Sequence, residues 1–140
     1  RMVDQKKQTV KTIAGNGFPG GRIEDHCPTA AQFGSSRRPV DAFDGPWYLV
    51  LDEHNNIYVA DTQNGLVRMI AHDHQYIETI AGTRSFQRSR RADKGETDPL
   101  QLNIPYLSSL DFYRNRLYIS DWRGDLIILR KEEKEPARYE

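Results

Sequence analysis

Two internal echoes constrain this 140-residue chain more than anything else in it. Thr-Ile-Ala-Gly is written at 12–15 and again at 79–82, 67 positions apart. "NNIYVADTQNGLVRMI" from Asn55 returns in outline as "YRNRLYISDWRGDLIILR" from Tyr113, with Asp61 and Asp121 matching at an offset of 60. A chain that repeats motifs at this spacing is built from supersecondary units that bury their faces against one another. The offsets differ because the variation lies in the loops.

The unit is made of strands. "QTVKTIA" (8–14), "WYLVLD" (47–52), "NIYVAD" (56–61), "LVRMI" (66–70), "QYIETIA" (75–81), "YLSSLD" (106–111), "RLYISD" (116–121) and "LIILR" (126–130) are short and rich in β-branched and aromatic residues. No amphipathic helical period competes with them. Asn64-Gly65 is the pair that a type I′ hairpin prefers, and "EHNN" and "YRN" tolerate turn conformations. Neighbouring strands are therefore expected to be antiparallel. Gly15 to Pro46 and Thr83 to Pro105 are long, rich in Gly, Pro, Ser, Arg and Asp, and read as links between sheets. The expected order is one strand, a long loop, four hairpin-linked strands, a second long loop and three strands.

Composition narrows the function classes. Lysine plus arginine equals aspartate plus glutamate at 20 each, so no overall charge draws the chain to nucleic acid or to a membrane surface. No run approaches the roughly 18 apolar residues of a spanning helix. Cys27 is the only cysteine, which excludes an internal disulfide and a cysteine-rich zinc site and leaves the compartment unreadable. Only 37% of residues are hydrophobic and 29% are charged. A chain this polar carries long exposed loops or belongs to a larger body.

The motifs resemble NHL repeats, the units of a family of β-propellers. Val10-Lys11-Thr12-Ile13-Ala14-Gly15-Asn16-Gly17 is similar to the family's strand end, Cys27 to Phe33 to its loop, and Asn55 to Asn64 to its hairpin. Asp98 to Pro105 and Arg116 to Asp121 repeat these elements in the same order. Leu66 and Leu126 stand where the family has arginine after the hairpin turn, and about ten residues around 36–45 look inserted. The resemblance covers Thr9 to Arg130. It implies an all-β fold of antiparallel four-stranded blades, about two of them present, with a lead over 1–8, two repeats over 9–130 and a charged tail or linker over 131–140. Propellers contain about 4–8 blades. The remaining blades are therefore expected from a longer chain, which the absence of an initiator Met also suggests, or from further copies of this one.

Candidate chemistry is sparse. His72 and His74 could share a metal, but such sites usually need three or four ligands. A polar turn is the competing reading, and no cofactor is assigned. His26-Cys27, with Glu24 and Asp25 nearby, reads as an inert loop, because a Cys–His pair works through spatial contact and not adjacency. Gly15, Tyr58, Asp61, Gly82, Tyr118 and Asp121 read as structural repeat residues. The two aspartates are expected to bond turn backbone and the two tyrosines to pack between blades. Arg84, Phe86, Arg88, Arg90, Arg91 and Lys94 form a basic loop that could contact a protein or grip RNA. Arg123-Gly124-Asp125 reads as turn chemistry. Trp47 and Trp122 read either as buried between blades or as parts of a recognition surface.

Together these features point to a non-catalytic interaction scaffold whose loop faces receive protein partners. No catalytic residue is named. The alternatives are a metal-dependent lyase or hydrolase on a propeller, and RNA binding through 84–94.

Overall fold

The structure, a computed structural model, describes residues 1–20, 26–34, 45–83, 98–104 and 107–131. The fold is all-β, with every strand ladder antiparallel and no α-helix among the described residues. β1 (Met2–Asp4) and β2 (Thr9–Lys11) form an N-terminal hairpin. β3 (Tyr48–Leu51), β4 (Ile57–Asp61), β5 (Leu66–Ile70) and β6 (Ile77–Ala81) form a central sheet in chain order. β7 (Leu107–Tyr113), β8 (Arg116–Asp121) and β9 (Leu126–Arg130) form a C-terminal sheet.

The strands follow the alternation in the sequence, and the interior follows from their pleat. β4 and β5 are apolar almost throughout because the central sheet is covered on both faces. Tyr58, Ala60 and Val67 on one face meet Leu107, Leu110, Leu117 and Ile119 of the C-terminal sheet, with Leu102 and Ile104 filling the end of that core. Val59, Ile70 and Ile77 on the other face are covered by Ala14, Ala31 and Phe33 from the segment ahead of β3. Full burial of such a side chain stabilises by about 1.5–3 kcal/mol, so this two-sided packing holds the central sheet in place.

Two local expectations change. The strand predicted over 8–14 shortens to Thr9–Lys11 and does not stand alone, because Met2–Asp4 in the expected lead pairs with it. The predicted type I′ turn is not at Asn64-Gly65: residues 62–64 form a 3-10 turn, and Gly65 alone takes a positive φ of 63°. The two-residue turn with both residues at positive φ falls on Arg114 (47°) and Asn115 (59°) instead, between Tyr113 and Arg116. Asn64 is occupied elsewhere: its side-chain amide donates to the carbonyls of Gly20 (3.1 Å) and Gly34 (2.7 Å) and to Asp61 Oδ2 (2.8 Å).

The ladders also lay the chain on itself. Met2 faces Lys11 as Met69 faces Glu78, and Val3 faces Val10 as Ile70 faces Ile77. The 67-position offset thus runs back without a gap to Arg1. Arg1 to Gly15 matches Arg68 to Gly82 at seven of fifteen positions: Arg, Met, Gln, Thr, Ile, Ala and Gly. The loops that follow repeat their bonds. Gly15 N–H donates to the Pro28 carbonyl and Gly82 N–H to the Pro99 carbonyl, both at 2.9 Å. Asn16 N–H to the Ala31 carbonyl (3.0 Å) corresponds to Thr83 N–H to the Leu102 carbonyl (2.7 Å).

Candidate functional site

Two features stand at the seam between the central and C-terminal sheets, and a third distinguishes the two repeat aspartates. The first is aromatic. Trp47 enters β3 and Trp122 follows β8, and their rings meet edge to face at 5.8 Å between centroids. Trp122 is largely in solvent at 68% exposure, and Trp47 is partly exposed at 42%. They are therefore not buried between the sheets. They form an exposed pair bridging the two, with Arg123 beside Trp122.

The second feature locks the sheets together. The Asp52 side chain is buried at the end of β3, where Oδ1 accepts from the backbone N–H of His54 and of Asn56, both at 2.9 Å. Oδ2 accepts from the Asn56 amide (2.8 Å), the Tyr58 hydroxyl (3.1 Å) and Lys131 Nζ (3.1 Å). Burial alone would raise the Asp52 pKa, but the bonds from Asn56, Lys131 and Tyr58 outweigh it and hold the carboxyl at about 2. The same surroundings push the Tyr58 hydroxyl upward, through its burial first and the Asp52 charge second. The Tyr58 ring stacks on Phe112 of the C-terminal sheet at 5.4 Å, so one side chain carries both the apolar and the polar contact across the seam. Lys131 belongs to the expected tail, yet it is fixed by exchanging backbone and side-chain bonds with Asn115.

The third feature concerns the two repeat aspartates, which do different work. Asp121 Oδ1 accepts from the N–H groups of Arg123 (2.8 Å) and Asp125 (3.0 Å) and closes its own turn. Asp61 is fully buried and reaches Gly34 N–H (2.8 Å), a residue 27 positions earlier. It ties down the loop that covers the sheet. Burial pushes Asp61 up to about 6, against the lowering effects of Asn64, Gly34 and Arg68. Arg68 is itself buried. Its Nη1 donates to the Gln32 carbonyl at 3.0 Å, and its guanidinium lies over the Phe33 ring at 5.2 Å.

Between the N-terminal hairpin and β3 lies an open groove of about 620 Å³. Met2, Phe33, Leu49, Leu51 and Ile57 give it an apolar floor, and His72 and His74 stand at its rim. His72 N–H is held by Asn56 Oδ1 and His74 N–H by the Ala71 carbonyl, so both histidines sit in an ordinary turn. No group of three or more His, Cys, Asp or Glu side chains able to hold a metal ion occurs among the described residues. Tyr118 lies half-buried on the outer face of β8. Cys27 is exposed, its Sγ 3.6 Å from Thr29 Oγ1. Arg84, Phe86, Arg88, Arg90, Arg91 and Lys94 lie outside the described residues, as do Glu24 and Asp25.

Sequence reasoning missed Asp52 and Lys131, which are 79 residues apart and meet only across the seam. The one local signal was Asp52 ahead of Asn56 and Tyr58, a spacing that a tight turn converts into a shared carboxylate.

No protein-family model matches the chain, and no curated protein matches it. Among solved structures it is similar to a structural-genomics protein of unknown function from Bacteroides thetaiotaomicron VPI-5482, with a TM-score of 0.55 and 19% sequence identity. That match covers 76% of this chain but 23% of the other, so this chain spans under a quarter of that protein's length. The likeness is one of fold.

Proposed function

We propose that this chain is a non-catalytic interaction scaffold built from NHL-type propeller blades, with protein partners docking on the loop faces. The exposed Trp47–Trp122 pair carries this reading. Tryptophan is enriched among residues that dominate binding energy, and the exposed parts of two indoles at one seam present apolar area that a partner would cover. The propeller part is supported by the way the sheets stack. The Tyr58 face of one sheet receives the Leu117 and Ile119 face of the next, and such a head-to-tail relation can continue around a ring.

The pair is fixed by the sheets it links. Trp47 N–H donates to the Ala60 carbonyl (3.1 Å), and Trp122 follows the turn that Asp121 closes. A rigid platform with a few exposed aromatic anchors limits the ordering cost of binding. Placing a photo-reactive phenylalanine analogue at Trp122 in cells tests the reading. Discrete protein adducts at that position, absent when the same analogue replaces exposed Lys6, are expected. Equal adducts at both positions, or none at Trp122, would refute it.

A further inference from the structure

Asp52 and Asp61 are both buried carboxyls, and the donors around them differ in number and charge. Among the described residues Asp52 collects five: the N–H groups of His54 and Asn56, the Asn56 amide, the Tyr58 hydroxyl and the Lys131 ammonium. Asp61 has the Gly34 N–H on Oδ1 and, on Oδ2, a share of the Asn64 amide. That amide carries two hydrogens, yet three oxygens lie around its nitrogen: Asp61 Oδ2 at 2.8 Å and the carbonyls of Gly20 at 3.1 Å and Gly34 at 2.7 Å. An ionised Asp61 therefore competes with two backbone carbonyls for two hydrogens. A neutral Asp61 leaves that competition, and its own hydroxyl costs less to leave without an acceptor than a buried charge costs to leave under-bonded. Among the described residues Arg68 on β5 is the charged group acting on Asp61, and it favours the ionised form. β3, the 62–64 turn and residues 16–20 and 28–34 carry no charged side chain, and Asp111 of β7 is exposed. Burial outweighs Arg68.

This hub fastens the two arms of one strap. Gly20 ends the first arm and Gly34 the second, and the arms are joined by Gly20 N–H to the Phe33 carbonyl (3.3 Å) and by the bridge between Pro19 and Phe33. The strap lays Ala14, Ala31 and Phe33 over Val59, Ile70 and Ile77. Two further fastenings are the His26 backbone N–H to the Ile77 carbonyl (2.9 Å) and Arg68 to the Gln32 carbonyl, and neither donor titrates near neutral pH. Asp61 is the fastening that a proton changes.

We propose that Asp61 is a proton-operated latch for this strap, closed when its carboxyl holds a proton and opening locally when it ionises. Opening lets water reach the carboxylate and supplies the hydrogens that the hub lacks. A carboxyl that binds its proton more tightly when the strap is closed favours closure at low pH, and that preference is lost as the pH rises through about 6. Release uncovers the Val59, Ile70 and Ile77 face of the central sheet. The latch works at that covered face and not at the tryptophan pair, so it stands or falls separately from the scaffold reading.

The experiment follows amide exchange by NMR on the full 140-residue chain at about pH 5 and about pH 7.5, expressed as protection factors, which remove the intrinsic pH dependence of exchange. For a carboxyl at 3.8 when open and about 6 when closed, protection of Asn16, Gly20 and Gly34 should fall about tenfold between the two. Strap protection should hold in about 1 M urea while that of β8 falls, because a local opening exposes little surface. The Gly34 amide resonance, bonded to Asp61 Oδ1, should titrate with a midpoint of about 6. Asp61→Asn should abolish the tenfold change. Asp121→Asn, at the matching position with its bonds inside its own turn, should keep it. Equal strap protection at both pH values, strap protection that follows β8 in urea, or a Gly34 midpoint near about 4 would overturn the proposal. So would a tenfold change that survives in Asp61→Asn or disappears in Asp121→Asn. The urea series and the Gly34 midpoint are read on the parent chain, so they decide the matter even if Asp61→Asn does not fold.

Discussion

Asp52 should make this protein acid-sensitive through a single side chain. Its carboxyl is held at about 2 in the folded chain against an ordinary 3.8, so the fold favours the charged form. The stability this contributes is present above about pH 4 and is lost as the pH falls toward 2. The fall from 3.8 to about 2 corresponds to about 2 kcal/mol, of which roughly 1 kcal/mol has gone by about pH 3. Asp52→Asn removes the charge while keeping the shape. Whichever way the new amide turns, its NH₂ group faces donors: the N–H groups of His54 and Asn56 on one side, or Asn56 Nδ2, Tyr58 and Lys131 on the other. Urea unfolding followed by far-UV circular dichroism at about pH 7 should show a loss of about 2–4 kcal/mol. The gap between parent and variant should narrow by roughly 1 kcal/mol at about pH 3. An unmoved urea midpoint at pH 7, or a gap that stays constant on acidification, would refute the reasoning.

Asp61 acts in the opposite sense. Its carboxyl is raised to about 6, so the stability it contributes is complete below 3.8 and is lost as the pH rises through 6. Asp61→Asn should flatten the urea midpoint between about pH 4 and 6, at a constant cost of about 1–3 kcal/mol for its misplaced donors. Gly82→Ala should cost about 3 kcal/mol or more, because it adds a backbone clash to the strain of a φ of +99°. Gly15→Ala, at +90° with its Cβ in ordinary contact with the Phe33 ring at 3.7 Å, should cost about 1–2 kcal/mol; thermal melts of the two variants compare them. Trp122→Ala should change stability by no more than about 0.5 kcal/mol, since the ring is 68% exposed. A larger loss in the melting temperature would show that the indole pair is structural.

Strand positions were legible because their signal is local. β5, β8 and β9 occupy the predicted residues, since each is bounded by turn residues and alternates on a half-covered or fully covered sheet. The N-terminal repeat was legible too, but only along a 67-position offset that the short strand β1 does little to advertise. The turn type was not. Asn64-Gly65 has the composition of a type I′ turn, but the Asn64 amide gains more from three buried acceptors than from a hairpin tip. Arg114 and Asn115 take that conformation instead because β7 and β8 leave two residues between them.

By itself, then, the sequence determined an antiparallel all-β chain with repeated units, since periodicity, turn residues and motif spacing act within a few residues of one another. Tertiary structure decided the rest. Equivalent aspartates received different partners because one loop folds back over the central sheet and no such loop crosses Asp121 among the described residues. Leu110 and Phe112 pack against the central sheet while Leu49 and Leu51 stay exposed, because burial depends on what lies opposite a face, and no residue encodes that alone.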